Sequence, residues 1–256
     1  AATQIDTRSA PNPDQGFSRD KQTSLAFPNL RVGTQIRYTV RQHYPAKPLM
    51  TQFHYVLKFG PSSARRDRFK ARFTAERPMQ WRSELFDGFK VTPSSNGKTL
   101  DVVQKAPTYL NYINESSAAA LLRVPRLEVG SAVDRQAYFG DFAQRYNQIL
   151  GATLPAQAAA AVAAARSLAP AEQVAAMMQH INDHYRYLGD WRANERGYVP
   201  FSLAEIEQHG YGDCKDLATL LTAILKASGI KAVTAWVRRG DVVDALLIPG
   251  TQAPNH

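Results

Sequence analysis

The sequence predicts an α+β protein in which an antiparallel, sandwich-like β-domain precedes a mixed α+β domain. Three observations predict it. Short segments with strand alternation, separated by turn chemistry, fill roughly residues 30–140. A run that is almost all alanine, Ala156 to Ala165, then interrupts them. Beyond it, apolar residues recur with helical spacing. The expected organisation is a β-rich domain over 1–150, an alanine-rich helical linker over 151–168, and a second domain over 169–256.

Residues 1–27 are polar and rich in turn formers. In Thr34–Val40, Ile36, Tyr38 and Val40 alternate with polar neighbours, the period-2 pattern of a half-buried strand. Phe53–Phe59 is a second β-prone run. Phe89–Thr92 and Leu100–Val103 flank Ser94-Ser95-Asn96-Gly97, which predicts a hairpin. The alanine run, opened by Pro155, predicts a short helix or a helical linker. From Pro170 to about Leu188, Val174, Met177, Met178, Ile181 and Tyr185 fall on one helical stripe, with Gly189 as the stop. Ser202-Leu203-Ala204-Glu205 fits a capping box for a short helix ending at Gly210. Tyr211-Gly212-Asp213 then leads into a third helix with the stripe Leu217, Leu220, Leu221, Ile224, Leu225, closed by Gly229. Ala232–Val237 is β-prone and predicts a strand.

The net charge of +9 is unevenly placed. Residues 1–150 carry 22 Lys and Arg against 12 Asp and Glu, while residues 151–256 carry 9 against 10. Basicity is therefore a property of the first part alone. In the densest stretch, Arg66, Arg68, Lys70 and Arg72 share one face of a strand; Phe69, Ala71 and Phe73 share the other. A polyanion-binding ledge and the solvated face of a half-buried strand both fit. The aromatics do not interleave with the basic face as single-strand binding requires, so no nucleic-acid partner is expected. No apolar run has the length of a membrane span.

The chain has one cysteine, which excludes an internal disulfide and a multi-cysteine zinc site. Cys214 lies in the first turn of the third helix, after Asp213, a good N-cap residue. Free N–H groups and the macrodipole at a helix start favour an anion, and so a thiolate over a thiol. The same N–H groups can receive the oxyanion of a tetrahedral intermediate. Asp213 and Asp216 partly oppose that charge, so a cationic partner is required. The competing reading is a small buried thiol in a helix seam.

The string Tyr211-Gly212-Asp213-Cys214-Lys215-Asp216-Leu217-Ala218-Thr219-Leu220-Leu221, followed by Leu225-Lys226-Ala227-Ser228-Gly229-Ile230, resembles the core motif of the transglutaminase-like superfamily. It is similar in particular to bacterial proteins in which a β-rich domain of unknown function precedes that core. Tyr185–Gly189 and Val199–Ile206 share the likeness, and Phe27–Gly33 fits the preceding domain by pattern. The resemblance implies a papain-like α+β core with a Cys-His-Asp triad, acting on peptide or isopeptide amides through a thioester. It implies Cys214 as nucleophile and, from Pro254-Asn255-His256, His256 as general base. The strand that His256 should open, and the acid beyond it, would lie past His256, so the chain is expected to be a fragment, incomplete at its C-terminus, of a longer protein. Gln208 and Trp191 are candidate oxyanion donors by chemistry. No cofactor and no metal are expected, and the partner is a protein or peptide substrate.

His180 and His184 stand four apart on one helix face, but Ile181 occupies the position where a zincin carries glutamate, and no third ligand is evident. Asp241 and Asp244 precede His256 and read as loop acids; His43, His54 and His209 have no legible partner. No phosphate-binding glycine loop, no Gly-x-Ser-x-Gly elbow and no internal repeat occurs. A start at Ala1-Ala2 fits removal of an export signal, so a periplasmic or secreted location is expected. The functional alternatives are a thiol acyltransferase or peptidase and a non-catalytic cell-envelope binding module.

Overall fold

The computed structural model of the protein describes residues 4–10, 16–43, 49, 52–60, 65–108, 124–131, 134–190, 192, 196–239, 246–250 and 256. The strands are β1 Gln4–Ser9, β2 Gly16–Phe17, β3 Lys21–Ala26, β4 His54–Lys58, β5 Lys70–Thr74 and β6 Gln80–Glu84. They continue with β7 Phe89–Pro93, β8 Thr99–Gln104 and β9 Arg126–Gly130. Three helices follow: α1 Arg135–Leu150, α2 Ala156–Ala165 and α3 Pro170–His184. After them come β10 Arg186–Tyr187, β11 Gly189–Asp190, α4 Leu203–His209, β12 Tyr211–Gly212 and α5 Cys214–Ala227. The protein is α+β. Its contacts divide it into two units, 50–144 with 235–256, and 1–49 with 145–234.

The first of these units holds two antiparallel three-stranded sheets, β4-β9-β6 and β5-β8-β7. Both contribute to one apolar cluster of Phe59, Phe86, Phe89, Leu100, Val102, Leu127 and Val129. The hairpin read at Ser94–Gly97 joins β7 to β8: Gly97 takes φ +67°, Asn96 Oδ1 accepts from Lys98 N, and Ser94 N donates to Thr99 O. On β5, Lys70 and Arg72 are exposed while Ala71 and Phe73 turn inward, as the alternation requires.

β9 departs from the usual alternation, because both of its faces are buried. Leu127 and Val129 enter the apolar cluster. Arg126, Glu128 and Gly130 point to the other face, where residues 246–250 cover Glu128 and Gly130. Glu128 Oε2 accepts from Leu247 N at 3.0 Å and from Ile248 N at 3.2 Å. A Cβ on Gly130 would lie 3.0 Å from Ile248 Cδ1, so the glycine makes room for Ile248.

The other unit is helical at its centre. Ala158, Ala165, Met177, Ile181, Leu203, Ile206, Leu220 and Ile224 share one core with Ile149 and Tyr185. The alanine run belongs to this core: Ala158 is 0% exposed and Ala165 is 4%. Alanine lets helices approach closely, and the N-terminal N–H groups of α2 find a partner across the fold. The Glu207 carboxylate accepts from Gln157 N and Ala158 N at 3.1–3.3 Å.

Five expectations change. Thr34–Val40 forms no strand, and Ile36, Tyr38 and Val40 are exposed. Ala232–Val237 forms no continuous strand, although Val237 exchanges two backbone hydrogen bonds with His256, at 2.8 and 3.1 Å. In both segments the alternation is present but no neighbouring ladder among the described residues completes a sheet. Helix α3 stops at His184 instead of Leu188, because Arg186 N and Leu188 N donate to Gly210 O and Gly212 O. Met178 is exposed at the edge of its stripe. Helix α1, for which the sequence reading gave no helix, buries Tyr138, Phe142, Tyr146 and Ile149. No described helix is long and apolar enough to cross a membrane.

Candidate active site

α5 begins where its sequence signals place it. Asp213 has extended backbone at the N-cap, and its carboxylate accepts from Lys215 N at 3.2 Å and from Asp216 N. The Asp216 side chain reaches back to Asp213 N at 2.9 Å, closing a capping box built from two aspartates. Cys214 is therefore the first residue of a doubly capped helix, and it is half-buried. Gly212 is fixed by this box, since a Cβ there would fall 2.5 Å from Asp216 Cβ.

Each aspartate has its own cation. Lys215 Nζ pairs with the Asp213 carboxylate. Arg196 Nη2 donates to Asp216 Oδ1 at 2.7 Å, and Phe201 N donates to the same oxygen at 2.8 Å. The Arg196 guanidinium also lies 3.3 Å from the Phe201 ring centroid. Asp216 is 1% exposed. Burial, and then the neighbouring charge of Asp213, push its carboxyl above the ordinary range; Arg196 opposes the rise.

Tyr187 reaches the cysteine through the sheet. β10 pairs in parallel with β12, with Tyr187 opposite Gly212, two residues before Cys214. Although Tyr187 is 59% exposed, partial desolvation of its phenol is the first cause that raises its pKa. The charge that Cys214 can carry and a hydrogen bond with its side chain raise it further, while a bond from the Cys214 backbone N–H works the other way. Tyr187 is thus a neighbour of Cys214 at the start of α5.

Residues 157–245 match the family model of the transglutaminase-like superfamily, and residues 1–106 match that of a domain of unknown function, DUF3857. The C-terminal match is a transglutaminase-like core. A crystal structure from Parabacteroides distasonis, described as that of a "putative protease", aligns with a TM-score of 0.52 at 13% identity. The alignment covers 70% of this chain and 35% of that one, so the chain spans about a third of that protein's length. At that identity the likeness is one of fold. No curated protein matches the chain.

Within the transglutaminase-like core, Cys214, Tyr187, Asp213 and Asp216 come together. His256 lies beyond the matched residues, in the unit of the two three-stranded sheets; it is exposed and held by its backbone to Val237. Gln208 is exposed on α4. Trp191, Asp241 and Asp244 lie outside the described residues. Sequence reasoning gave no role to Tyr187 or Arg196, because a two-residue parallel pairing and an ion pair between a loop and a helix leave no local signature. Near the same strands, Asp190 is held down to about 2 by the Arg192 side chain. Arg192 stacks 4.3 Å from the Phe17 ring, and Tyr211 donates to Asp190 Oδ2 at 3.2 Å.

The His180 and His184 rings stand 4.4 Å apart, and His184 Nδ1 donates to His180 O at 3.0 Å. Burial, and then His184, push the His180 imidazole below its ordinary range. No group of three or more metal-ligating side chains occurs among the described residues.

Proposed function

We propose that the protein is a thiol-dependent amide hydrolase or acyltransferase, exported to the periplasm or beyond, with Cys214 as its nucleophile and a protein or peptide as its substrate. The observation that carries the reading is that the single cysteine opens α5 within the transglutaminase-like core, beside Tyr187. Cys214 Sγ attacks the amide carbonyl carbon, and the carbonyl π electrons move to oxygen. On this reading the Cys214 N–H and the Tyr187 hydroxyl donate to that oxygen; Gln208 and Trp191 remain further donors by chemistry. His256 takes the thiol proton and returns it to the leaving amine, so that the C–N bond breaks and a thioester remains. Water or a second amine then attacks the thioester and releases the thiol.

The test is a thiol-directed amide probe on the wild type and on Cys214→Ala. Labelling is expected at Cys214 alone, faster than on free cysteine at neutral pH. Equal rates on Cys214 and free cysteine would overturn the reading and favour the non-catalytic binding module.

A further inference from the structure

The charged face of the sheet β4-β9-β6 carries a buried cluster that the proposed chemistry does not use. Glu128 is 0% exposed at the centre of β9. His54 Nε2 donates to its Oε2 at 3.1 Å, and Arg126 Nη1 lies 3.5 Å from its Oε1. Arg126 in turn donates through Nη2 to Glu84 Oε2 at 2.7 Å. The side chain of His54 is 1% exposed. A burial so costly for three ionisable groups in one face calls for a partner that repays it.

That partner is the segment 246–250. Glu128 Oε2 takes the N–H groups of Leu247 and Ile248 together. Ile248, 4% exposed, fills the space above Gly130. Gly250 is buried against the imidazole, and a Cβ there would fall 2.0 Å from His54 Nδ1. Nδ1 has no hydrogen-bond partner among the described residues, so the ring is oriented by Glu128 on one side and by the Gly250 backbone on the other.

We propose that His54 and Glu128 are positioning residues: they form a clamp that fixes the segment leading into His256, and so help to present its imidazole. The inference rests on the reading of His256 as general base. His256 stands six residues after Gly250 in the sequence. Its backbone is tied to Val237, whose neighbour Trp236 packs 5.7 and 5.0 Å from the rings of Phe139 and Phe142. The clamp sets a fixed point six residues before His256 in the sequence. A shorter tether between two anchors has fewer conformations to lose when the side chain is placed.

The experiment uses the full chain and two independent variants, Glu128→Gln, which removes the charged acceptor, and Gly250→Ala, which keeps it but crowds the ring. Hydrogen exchange at Leu247 and Ile248 is expected to rise by about ten- to a hundred-fold in Glu128→Gln, the loss of bonds to a charged acceptor. The Val129 amide on β9 should stay protected in both variants. In parallel, the pH profile of iodoacetamide alkylation at Cys214 is recorded for these variants and for His256→Ala. Both clamp variants are expected to move the profile in the direction of His256→Ala. Unchanged exchange in both overturns the clamp. Raised exchange with a wild-type profile, while His256→Ala does move it, overturns the positioning role. If His256→Ala itself leaves the profile unchanged while exchange rises, the base assignment falls, the positioning role falls with it, and the clamp stands.

Discussion

Replacing Arg196 with methionine should destabilise the helical unit more than any other single removal of a basic side chain there. Methionine keeps an apolar stem against Phe201 and removes the cation. The Asp216 carboxylate, 1% exposed, then keeps only the N–H groups of Phe201 and Asp213, at 2.8 and 2.9 Å. Breaking a buried pair from one side costs about 3–5 kcal/mol, because the remaining charge is left without compensation. At a urea slope of about 2 kcal/mol/M, that lowers the midpoint by about 2 M. The assay is urea unfolding followed by far-ultraviolet circular dichroism, read on the helical transition. Arg72→Ala is the control: its bonds to Asp101 are also short, at 2.7 and 2.9 Å, but the pair lies in solvent, where its loss should matter far less. The double variant Arg196→Met with Asp216→Asn should recover more than half of the loss, since it removes the stranded charge. A midpoint for Arg196→Met no lower than that of Arg72→Ala would refute the argument that burial makes this pair obligatory.

Tyr187→Phe keeps the ring and removes the hydroxyl; turnover of an amide substrate should fall about 100-fold with the fold intact, and an unchanged rate would remove Tyr187 from the chemistry. Glu207→Ala leaves the first N–H groups of α2 without their acceptor and should cost about 1–2 kcal/mol in thermal unfolding. Gly212→Ala places a methyl 2.5 Å from Asp216 Cβ, and should cost about 1–3 kcal/mol and slow alkylation of Cys214. Burial alone would raise the Glu128 carboxyl, but His54, the Ile248 N–H and Arg126 hold it below its ordinary value of 4.5. Its contribution is then full above that value and is lost as pH falls through the lowered one, so the stability gap between wild type and Glu128→Gln should narrow from pH 5 downward in urea titrations.

What could be read from the sequence was local. The Ser202–Glu205 and Asp213 caps, the Gly210 and Gly229 stops and the Asn96-Gly97 turn each depend on a few adjacent residues, and each formed as read. α1 also carried a legible signal, Asp134 as a cap ahead of Tyr138, Phe142, Tyr146 and Ile149, but it lay in the shadow of a β-rich region. Strand alternation at Thr34–Val40 was a weaker guide, because a strand exists only where a neighbour supplies its ladder. The same distinction holds at the site. Cys214 and its N-cap were legible because they are neighbours in sequence. Tyr187, Arg196 and the His54–Glu128 clamp were not, because they are assembled by strand pairing or by contacts between distant segments.

The two aspartates beside Cys214 pose a physical question that the structure answers. On the proposed reading Cys214 must carry negative charge, yet carboxylates flank it in sequence on both sides, a poor choice if charge alone mattered. Neither carboxylate is free to act on the sulfur. Asp213 is committed to Lys215 Nζ and to two backbone N–H groups, and Asp216 to Arg196 and to two more. Each negative charge thus has a cation of its own. What the aspartates supply is geometry: they fix the first turn of α5, and with it the Cys214 N–H and the helix dipole, at a defined place. The cost of burying Asp216 is accepted because a neutral cap would tie the helix start to Phe201 and Arg196 less firmly. For the proposed chemistry, a site assembled in this way would take its anion preference from backbone dipoles held rigid by neutralised side chains, which need not reorganise as charge develops on a substrate.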